Sequence, residues 1–382
     1  MKGEKILHIV TVSFAINHFF GQQFVFLKKT NNNEYHLGCS PSLEFRALAN
    51  KLKYIPLEVE ITRSISPIKD LRAIFTVYRY IKKNRITKVV GHTPKGGMVA
   101  MIASFFAGVS EPIYFRHGII YETSTGFKRV LLKNIERLSG YLATKVVCVS
   151  QSVLDISIKD KLNKSSKNLI LGLGTCNGID TEEKFNPKKI SLDAIEILRS
   201  ELSINKKDKI VGYVGRLVKD KGIDDLISAW EIIEMRYPDS KLLLVGPIEA
   251  RDSISDYSKN KISKNSSIIF TDFVVDTSTY FSLMHVFVLP TYREGFPTVA
   301  LEASSMNLPV IITKATGCTE AILENETGLF ISNNPKDIAN KIIFYLENKE
   351  IAIKHGFQGR LFVQENFEQT KIWKLISKIL EL

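Results

Sequence analysis

Short apolar runs alternate with amphipathic segments along the first half of the chain. The runs have the length of buried strands, and residues 66–84 place apolar side chains at helical spacing between basic ones. This alternation predicts a parallel sheet with helices on both faces. The predicted strands are 6–12, 35–39, 54–58, 88–91, 113–116 and 145–149, and the predicted helices are 22–29, 42–52, 66–84, 97–107 and 127–139.

A polar and charged segment, residues 177–209, interrupts this alternation and carries Pro187. We interpret it as a connection between two domains that contains one short helix. Beyond it the strand–helix pattern resumes. The predicted strands there are 210–213, 241–245, 268–270, 286–289, 310–313 and 328–330, and the predicted helices are 222–236, 298–306 and 335–346.

The two halves together predict an α/β fold of two Rossmann-like domains that face each other across a cleft. The expected domains are residues 1–180 and 181–366, and a last helix, residues 367–382, is expected to cross back to the first domain. Ligands of such sheets bind beside the carboxyl ends of the strands. The loops that follow the strands are therefore the first places to look for functional residues.

The net charge of +12 is unevenly distributed. Residues 1–180 contain 26 lysines and arginines against 12 aspartates and glutamates, whereas the remainder contains 26 against 28. Basic amphipathic stretches at 69–88 and 127–139 favour an anionic membrane surface as a partner of the first domain. A basic face that only contacts water is the alternative. No nucleic-acid-binding motif is present, so nucleic acid is not an expected partner.

Several other classes of protein are disfavoured. The four cysteines are isolated, and no charge-free run in the first half is long enough to cross a bilayer, which predicts a cytoplasmic protein peripheral to the inner face of the membrane. The glycines of residues 172–178 precede no predicted helix, so they do not indicate dinucleotide binding. No Asp-x-Asp motif occurs, and we therefore expect neither a metal nor another cofactor.

Residues 285–306 contain the strongest candidate for chemistry. A strand leads into a loop with Glu294, and a helix begins at Thr298 and carries Glu302 one turn later. The first N–H groups of that helix and the positive end of its dipole suit a diphosphate. The two carboxylates can bind hydroxyls of a ribose and of a sugar ring. The candidates for binding are Gly295, Phe296, Pro297, Thr298, Val299 and Glu302.

The segment from Glu294 to Glu302 resembles the E-x7-E motif of glycosyltransferase family 4, and the resemblance extends over nearly the whole chain. Residues 213–222 match the family's Gly-Arg and Lys-Gly segment at Gly215, Arg216 and Lys221. The resemblance implies the GT-B fold and transfer of a sugar, with retention of configuration, from a nucleoside diphosphate that Arg216 and Lys221 bind. Two cations at a strand end suit that charge.

In the first domain, His117 follows a predicted strand, where members of the family often have a histidine that contacts the donor sugar. Gly21 stands where such enzymes place a glycine loop over the donor phosphates. Residues 116–128 resemble bacterial members that build capsule or O-antigen on lipid carriers. The implied activity is that of a hexosyltransferase that moves a UDP-linked hexose or N-acetylhexosamine to a lipid-linked or oligosaccharide acceptor.

One rival enzyme class uses the same scaffold. Nucleotide-sugar 2-epimerases have two similar domains, and the motifs above do not by themselves exclude epimerisation. The nucleotide base, uridine or guanosine, also stays open at this level.

Overall fold

The computed structural model describes residues 3–64, 66–250 and 252–381. Two compact units divide the chain: Met1–Gly178 together with Thr370–Leu382, and Ile179–Gln369. Each unit contains one parallel sheet with helices packed on it. The predicted α/β fold of two Rossmann-like domains is confirmed.

The first unit contains a sheet of seven parallel strands. Their order is β3-β2-β1-β4-β5-β6-β7, so the direction of strand addition reverses between β1 and β4. The strands β1 to β7 are Lys5–Ile9, Glu34–Cys39, Ile55–Glu58, Lys88–His92, Glu111–Arg116, Lys145–Cys148 and Asn168–Ile170, and the helices α1 to α7 are Phe14–Phe19, Gln23–Thr30, Leu43–Leu52, Pro67–Asn84, Pro94–Ala107, Gly126–Leu142 and Gln151–Lys159.

The second unit repeats this plan with six parallel strands in the order β10-β9-β8-β11-β12-β13. Here the reversal lies between β8 and β11, which is the position where doubly wound sheets bind ligands. The strands β8 to β13 are Lys209–Val214, Ser240–Val245, Ile268–Phe270, Val286–Leu289, Val310–Thr313 and Gly328–Ile331, and the helices α8 to α14 are Leu192–Glu201, Ile223–Arg236, Asp256–Lys264, Ser278–Phe281, Thr298–Ser305, Pro335–Glu347 and Lys349–Asn366.

The last helix, α15 (Gln369–Leu380), packs into the first unit through an apolar stripe. Ile372, Trp373 and Ile376 are buried, and the indole N–H of Trp373 donates to Asn177 Oδ1 at 2.8 Å. The stripe follows helical spacing, because residues three or four apart lie on the same face.

Five helices have no counterpart in the sequence prediction: α1, α7, α10, α11 and α14. The longest, α14, has a buried face that is mostly small or polar and contains a single larger apolar side chain. Its residues are Ala352, His355, Gly356, Gly359 and Val363. A Cβ at Gly356 would lie 2.0 Å from the carbonyl oxygen of Asn307, so the helix needs glycine to approach this closely. Periodicity of large side chains does not detect such a face. The connection between the domains does contain one short helix, α8, as predicted.

Among the described residues, no helix is both long enough and apolar enough to span a membrane.

A buried ion pair fixes the carboxyl end of β5. Arg116 Nε lies 3.0 Å from Glu136 Oε2 in α6, and both side chains are fully buried. Arg116 also donates to Asn163 Oδ1 at 2.9 Å, and Tyr114 Oη donates to Glu136 Oε1 at 3.0 Å. These hydrogen bonds satisfy the charged groups that burial removes from water, and they position the residue that follows β5, His117.

Replacing one member of this pair should destabilise the first unit strongly. We expect Arg116→Leu to lower its free energy of unfolding by about 3–5 kcal/mol, because Glu136 would remain buried without its partner. Urea denaturation measures the change. The double variant R116L/E136L should lose less than R116L alone, and an equal or greater loss would contradict this account.

Candidate functional site

The loops that follow β8 and β11 meet where the strand order of the second sheet reverses. Gly222 precedes α9 with φ of +69°, and a Cβ there would lie 1.9 Å from the carbonyl oxygen of Pro290. Only glycine allows both this backbone conformation and this contact. The backbone N–H of Tyr292 donates to the carbonyl of Asp220 at 3.0 Å. The two loops are therefore held together by backbone packing as well as by side chains.

Lys221 and Glu294 form an ion pair across these loops. The ammonium of Lys221 donates to Glu294 Oε1, and the two side chains are 17% and 15% exposed. The backbone N–H of Glu294 donates to the carbonyl of Thr316 at 2.9 Å. Gly317, with φ of +80°, lies against the same loop, since a Cβ there would be 2.5 Å from the carbonyl oxygen of Glu294. The structure therefore brings together two residues that the sequence nominated separately.

Arg216 makes a different ion pair. Its Nη1 lies 2.9 Å from Glu249 Oε2, and its side chain is 45% exposed. Gly215 directly before it, with φ of +148°, packs against Gly246, where a Cβ would lie 2.1 Å from the Gly215 carbonyl oxygen. Glu249 was not identified from the sequence, although its place in the loop after β9, next to the end of β8, is a signal that could have indicated it.

The start of α12 lies at the end of the Glu294 loop. Pro297 is the N-cap, no side chain caps the helix, and no acidic residue occupies its first turn. The backbone N–H of Thr298 donates to the carbonyl of Phe296 at 3.0 Å, so this group is already used. The N–H of Val299 has no hydrogen-bond partner within the described chain. The positive end of the dipole and this N–H suit an anion.

Phe296 contributes packing rather than an exposed ring. Its side chain is buried and lies 5.4 Å, between ring centroids, from Phe367. Its backbone, with those of Gly295 and Pro297, forms the turn from Glu294 into α12.

Glu302 lies one turn into α12. Its carboxylate is half-buried and makes no hydrogen bond or ion pair with the residues that the structure describes. Burial raises the pKa of Glu302 to about 7; nearby Lys184 opposes the rise and Asp276 adds to it. A desolvated carboxylate without a partner is a candidate for binding hydroxyl groups of a ligand.

In the first unit, His117 follows β5 and belongs to a chain of three histidines. Its Nε2 lies 3.0 Å from His92 Nδ1, and His92 Nε2 lies 3.1 Å from His8 Nδ1. The contact between His8 and His92 was not identified from the sequence, because it depends on β1 and β4 being neighbours. Gly21, with φ of +47°, lies in the turn between α1 and α2, where Asn177 Nδ2 donates to the carbonyl of His18 at 3.2 Å.

No group of three or more His, Cys, Asp or Glu side chains within the described ranges is arranged to hold a metal ion.

Two family models match the chain. Residues 194–362 match the model described as glycosyl transferases group 1, and residues 8–150 match the model described as glycosyl transferase 4-like. The first match covers the loops of Lys221 and Glu294 and the helix that carries Glu302, and the second covers the three histidines.

Two curated relatives match most of this chain in sequence. The capsular polysaccharide biosynthesis glycosyltransferase CapM of Staphylococcus aureus is 32% identical over 99% of this chain and 97% of its own. An Escherichia coli enzyme named UDP-Gal:α-D-GlcNAc-diphosphoundecaprenol α-1,3-galactosyltransferase is 28% identical over 77% of this chain and 75% of its own.

Solved structures share the fold. Alr3699/HepE of Anabaena, in complex with UDP-glucose, superposes with a TM-score of 0.82 at 18% identity and covers 99% of both chains. A putative UDP-N-acetylglucosamine 2-epimerase of Listeria monocytogenes superposes with a TM-score of 0.68 at 13% identity, over 99% of this chain and 96% of its own. The fold by itself therefore does not separate sugar transfer from epimerisation.

Replacing Glu302 by glutamine should stabilise the second unit at alkaline pH. The folded-state pKa is raised above its ordinary value of 4.5, so ionisation costs stability as the pH rises from about 4.5 to about 7. We expect Glu302→Gln to gain about 2 kcal/mol at pH 8 and almost nothing at pH 4.5. Thermal melting at both pH values measures this. Glu326→Gln, which changes an exposed glutamate of the same unit, is the control, and a lower melting temperature of E302Q at pH 8 would contradict the assignment.

Proposed function

The chain belongs to the group 1 glycosyl transferases, and on this premise we propose that it moves a hexose or N-acetylhexosamine from a UDP-linked donor to a lipid-linked saccharide with retention of configuration. The observation that carries the proposal is the Lys221–Glu294 ion pair beside the start of α12, at the reversal point of the second sheet. A largely buried cation and a helix N-terminus at this position provide the positive potential that a diphosphate requires.

Each residue has a distinct part in the proposal. Lys221 and the N–H of Val299 bind the diphosphate, and Arg216 exchanges Glu249 for a phosphate oxygen when the donor binds. Glu302 accepts hydrogen bonds from the ribose hydroxyls, which favour its ionised form and offset the cost of its burial. Glu294, oriented by Lys221, accepts a hydrogen bond from the donor sugar.

The transfer itself needs a stabilised leaving group. The bond from the anomeric carbon to the phosphate oxygen breaks, the bond to the acceptor oxygen forms on the same face, and the acceptor proton passes to the leaving phosphate. Lys221 and Arg216 stabilise the negative charge that develops on the diphosphate. Because these cations and the helix supply that charge compensation, we propose that the reaction requires neither a metal nor another cofactor.

The names of two relatives support the proposed donor and acceptor classes. The name of the Escherichia coli relative specifies a UDP-linked galactose and a sugar attached to diphosphoundecaprenol. The Staphylococcus aureus relative is named for capsular polysaccharide biosynthesis. We propose the same kinds of substrate here, and a place for this chain in the assembly of a bacterial surface polysaccharide.

A lipid-linked acceptor favours a protein that works at the inner face of the cytoplasmic membrane. In the first unit, neighbouring helices α4, α5 and α6 expose large apolar side chains next to lysines and arginines. We propose that this surface binds anionic lipid. Lys88 is not part of it, although the sequence placed it there, because it is buried and its ammonium donates to the carbonyl of Leu380 at 2.6 Å. The exposed apolar residues are Ile68, Leu71, Phe75, Phe105, Phe106, Phe127 and Val130.

Release of UDP that depends on an acceptor tests the activity. We expect UDP from UDP-galactose, UDP-glucose or the N-acetylhexosamine donors only when a diphosphoundecaprenol-linked saccharide is added. Lys221→Ala and Arg216→Ala should lower kcat by roughly 10²–10³, because each removes charge stabilisation of the leaving group.

Lys219→Ala is the matched control, since Lys219 is an exposed lysine on the same short turn. It should keep kcat within about threefold of the unaltered enzyme, as expected of a solvated charge. Conversion of the donor sugar without any acceptor would favour epimerisation. Unchanged rates in both K221A and R216A would reject the assigned roles.

The membrane surface is tested by co-sedimentation with vesicles. We expect binding to phosphatidylglycerol vesicles at low salt, with each basic contact adding about 1 kcal/mol, and little binding to phosphatidylcholine. Ile68→Ser with Phe75→Ser should reduce binding about tenfold or more, because two apolar anchors are lost. Met235→Ser, which removes an exposed apolar side chain of the second unit, is the control. Binding that ignores lipid charge and salt would contradict the proposal.

A further inference from the structure

Three imidazoles form a continuous hydrogen-bonded chain in the first unit. His8 lies in β1, His92 ends β4 and His117 follows β5, so the chain crosses three neighbouring strands at the reversal point of the sheet. The contacts run from His8 Nδ1 to His92 Nε2 and from His92 Nδ1 to His117 Nε2. The protonation of the last ring is therefore linked to that of the first.

Aromatic side chains hold these rings in place. Phe19 stacks on His117 with ring centroids 4.0 Å apart, and Phe115 stacks on His92 at 4.9 Å. Phe20 meets His8 edge to face at 5.3 Å. Because the rings are confined on their faces, each nitrogen keeps its assigned neighbour.

The three rings are neutral at physiological pH. Burial lowers the pKa of His8 and of His117 to about 3, and the pKa of His92 lies well below its ordinary value for the same reason. Neighbouring His18 further lowers the pKa of His117. A neutral imidazole has one N–H donor and one acceptor nitrogen. Every N–H in the chain must therefore point in the same direction, either from His8 towards His117 or the reverse.

The surroundings of His8, at the inner end of the three-histidine chain, indicate the direction in which the N–H groups point. His8 Nε2 is buried and has no hydrogen-bond partner among the described residues. If the N–H groups point towards His117, this atom is a bare lone pair. If they point the other way, it is an unpaired N–H, and unpaired buried N–H groups are rarer than under-satisfied acceptors. The outward direction protonates Nδ1 of all three rings.

We propose that His8 and His92 are positioning residues that keep His117 in its Nδ1-protonated form, so that it donates a hydrogen bond to an oxygen of the bound sugar substrate. The nature of the substrate rests on the proposed function. His117 is partly exposed, and its Nδ1 has no hydrogen-bond partner within the described ranges. An Nδ1–H group held in one orientation favours a substrate that places an oxygen where it can accept this hydrogen bond.

The tautomers of the three histidines can be measured by NMR. Nitrogen NMR of protein labelled with ¹⁵N-histidine distinguishes a protonated from a bare ring nitrogen, and loss of single signals in histidine variants assigns the seven histidines. We expect His117 and His92 to be protonated at Nδ1 and bare at Nε2. Protonation of His117 at Nε2 would overturn the proposal. This measurement uses the free enzyme, so it remains decisive if no nucleotide sugar is transferred.

A matched pair of His92 variants tests whether the three-histidine chain sets the tautomer of His117. Asparagine and leucine have similar shape, but only the amide of His92→Asn can donate to His117 Nε2. We expect H92N to keep kcat/KM within about threefold and His117 in its original tautomer, whereas H92L should lose roughly tenfold and mix the tautomers of His117, because the fixed hydrogen bond is lost.

A packing role predicts the opposite order, since leucine suits a buried site better than asparagine. Equal activity of the two variants, or higher activity of H92L, would therefore overturn the proposal. His36→Leu is the control. His36 is a buried histidine of the adjacent strand β2, and its imidazole bonds to Tyr80 and Glu34 and not to the three-histidine chain. It should leave the tautomer of His117 unchanged.

Discussion

The second unit depends on the ion pair between Lys221 and Glu294. This pair joins two loops at the position where the strand order of the sheet reverses, between β8 and β11. Both groups are largely removed from water, so each requires the other to offset the cost of desolvation. Gly222 and Gly317 let the backbones approach closely enough for this pairing. The opposite charges of the two loops therefore balance each other, and the diphosphate of the proposed function would meet a cation that is already positioned.

The same site keeps one group in an unfavourable state. Glu302 is desolvated and has no partner among the described side chains, and burial raises its pKa to about 7. A carboxylate of this kind reduces the stability of the free protein, and in the proposed function ribose hydroxyls would offset that cost. Arg216 differs, because its pairing with Glu249 at 2.9 Å leaves it half exposed and able to exchange partners.

In the first unit, buried polar networks fix the positions of side chains. The Arg116–Glu136 pair fixes the end of β5, and the three-histidine chain crosses to it from β1 and β4. Hydrogen-bonded networks of this kind favour one arrangement of a core, because other arrangements leave more polar groups unpaired. At the inner end of the three-histidine chain, the buried His8 Nε2 has no partner among the described residues, and this atom gives the hydrogen bonds of the three rings their direction.

The sequence by itself determined the two parallel sheets, most of their strands, and the candidate loop from Glu294 to Glu302, because hydrophobic periodicity and strand-end loops are local properties. It could not detect α14, whose buried face contains only one larger apolar residue, Val363, nor the pairing of Arg216 with Glu249. The tertiary structure alone decided that Lys221 meets Glu294 and that His8 and His92 line up behind His117. Those contacts join residues 73 and 84 positions apart, so they exist only once the order of the strands has brought distant strand ends together.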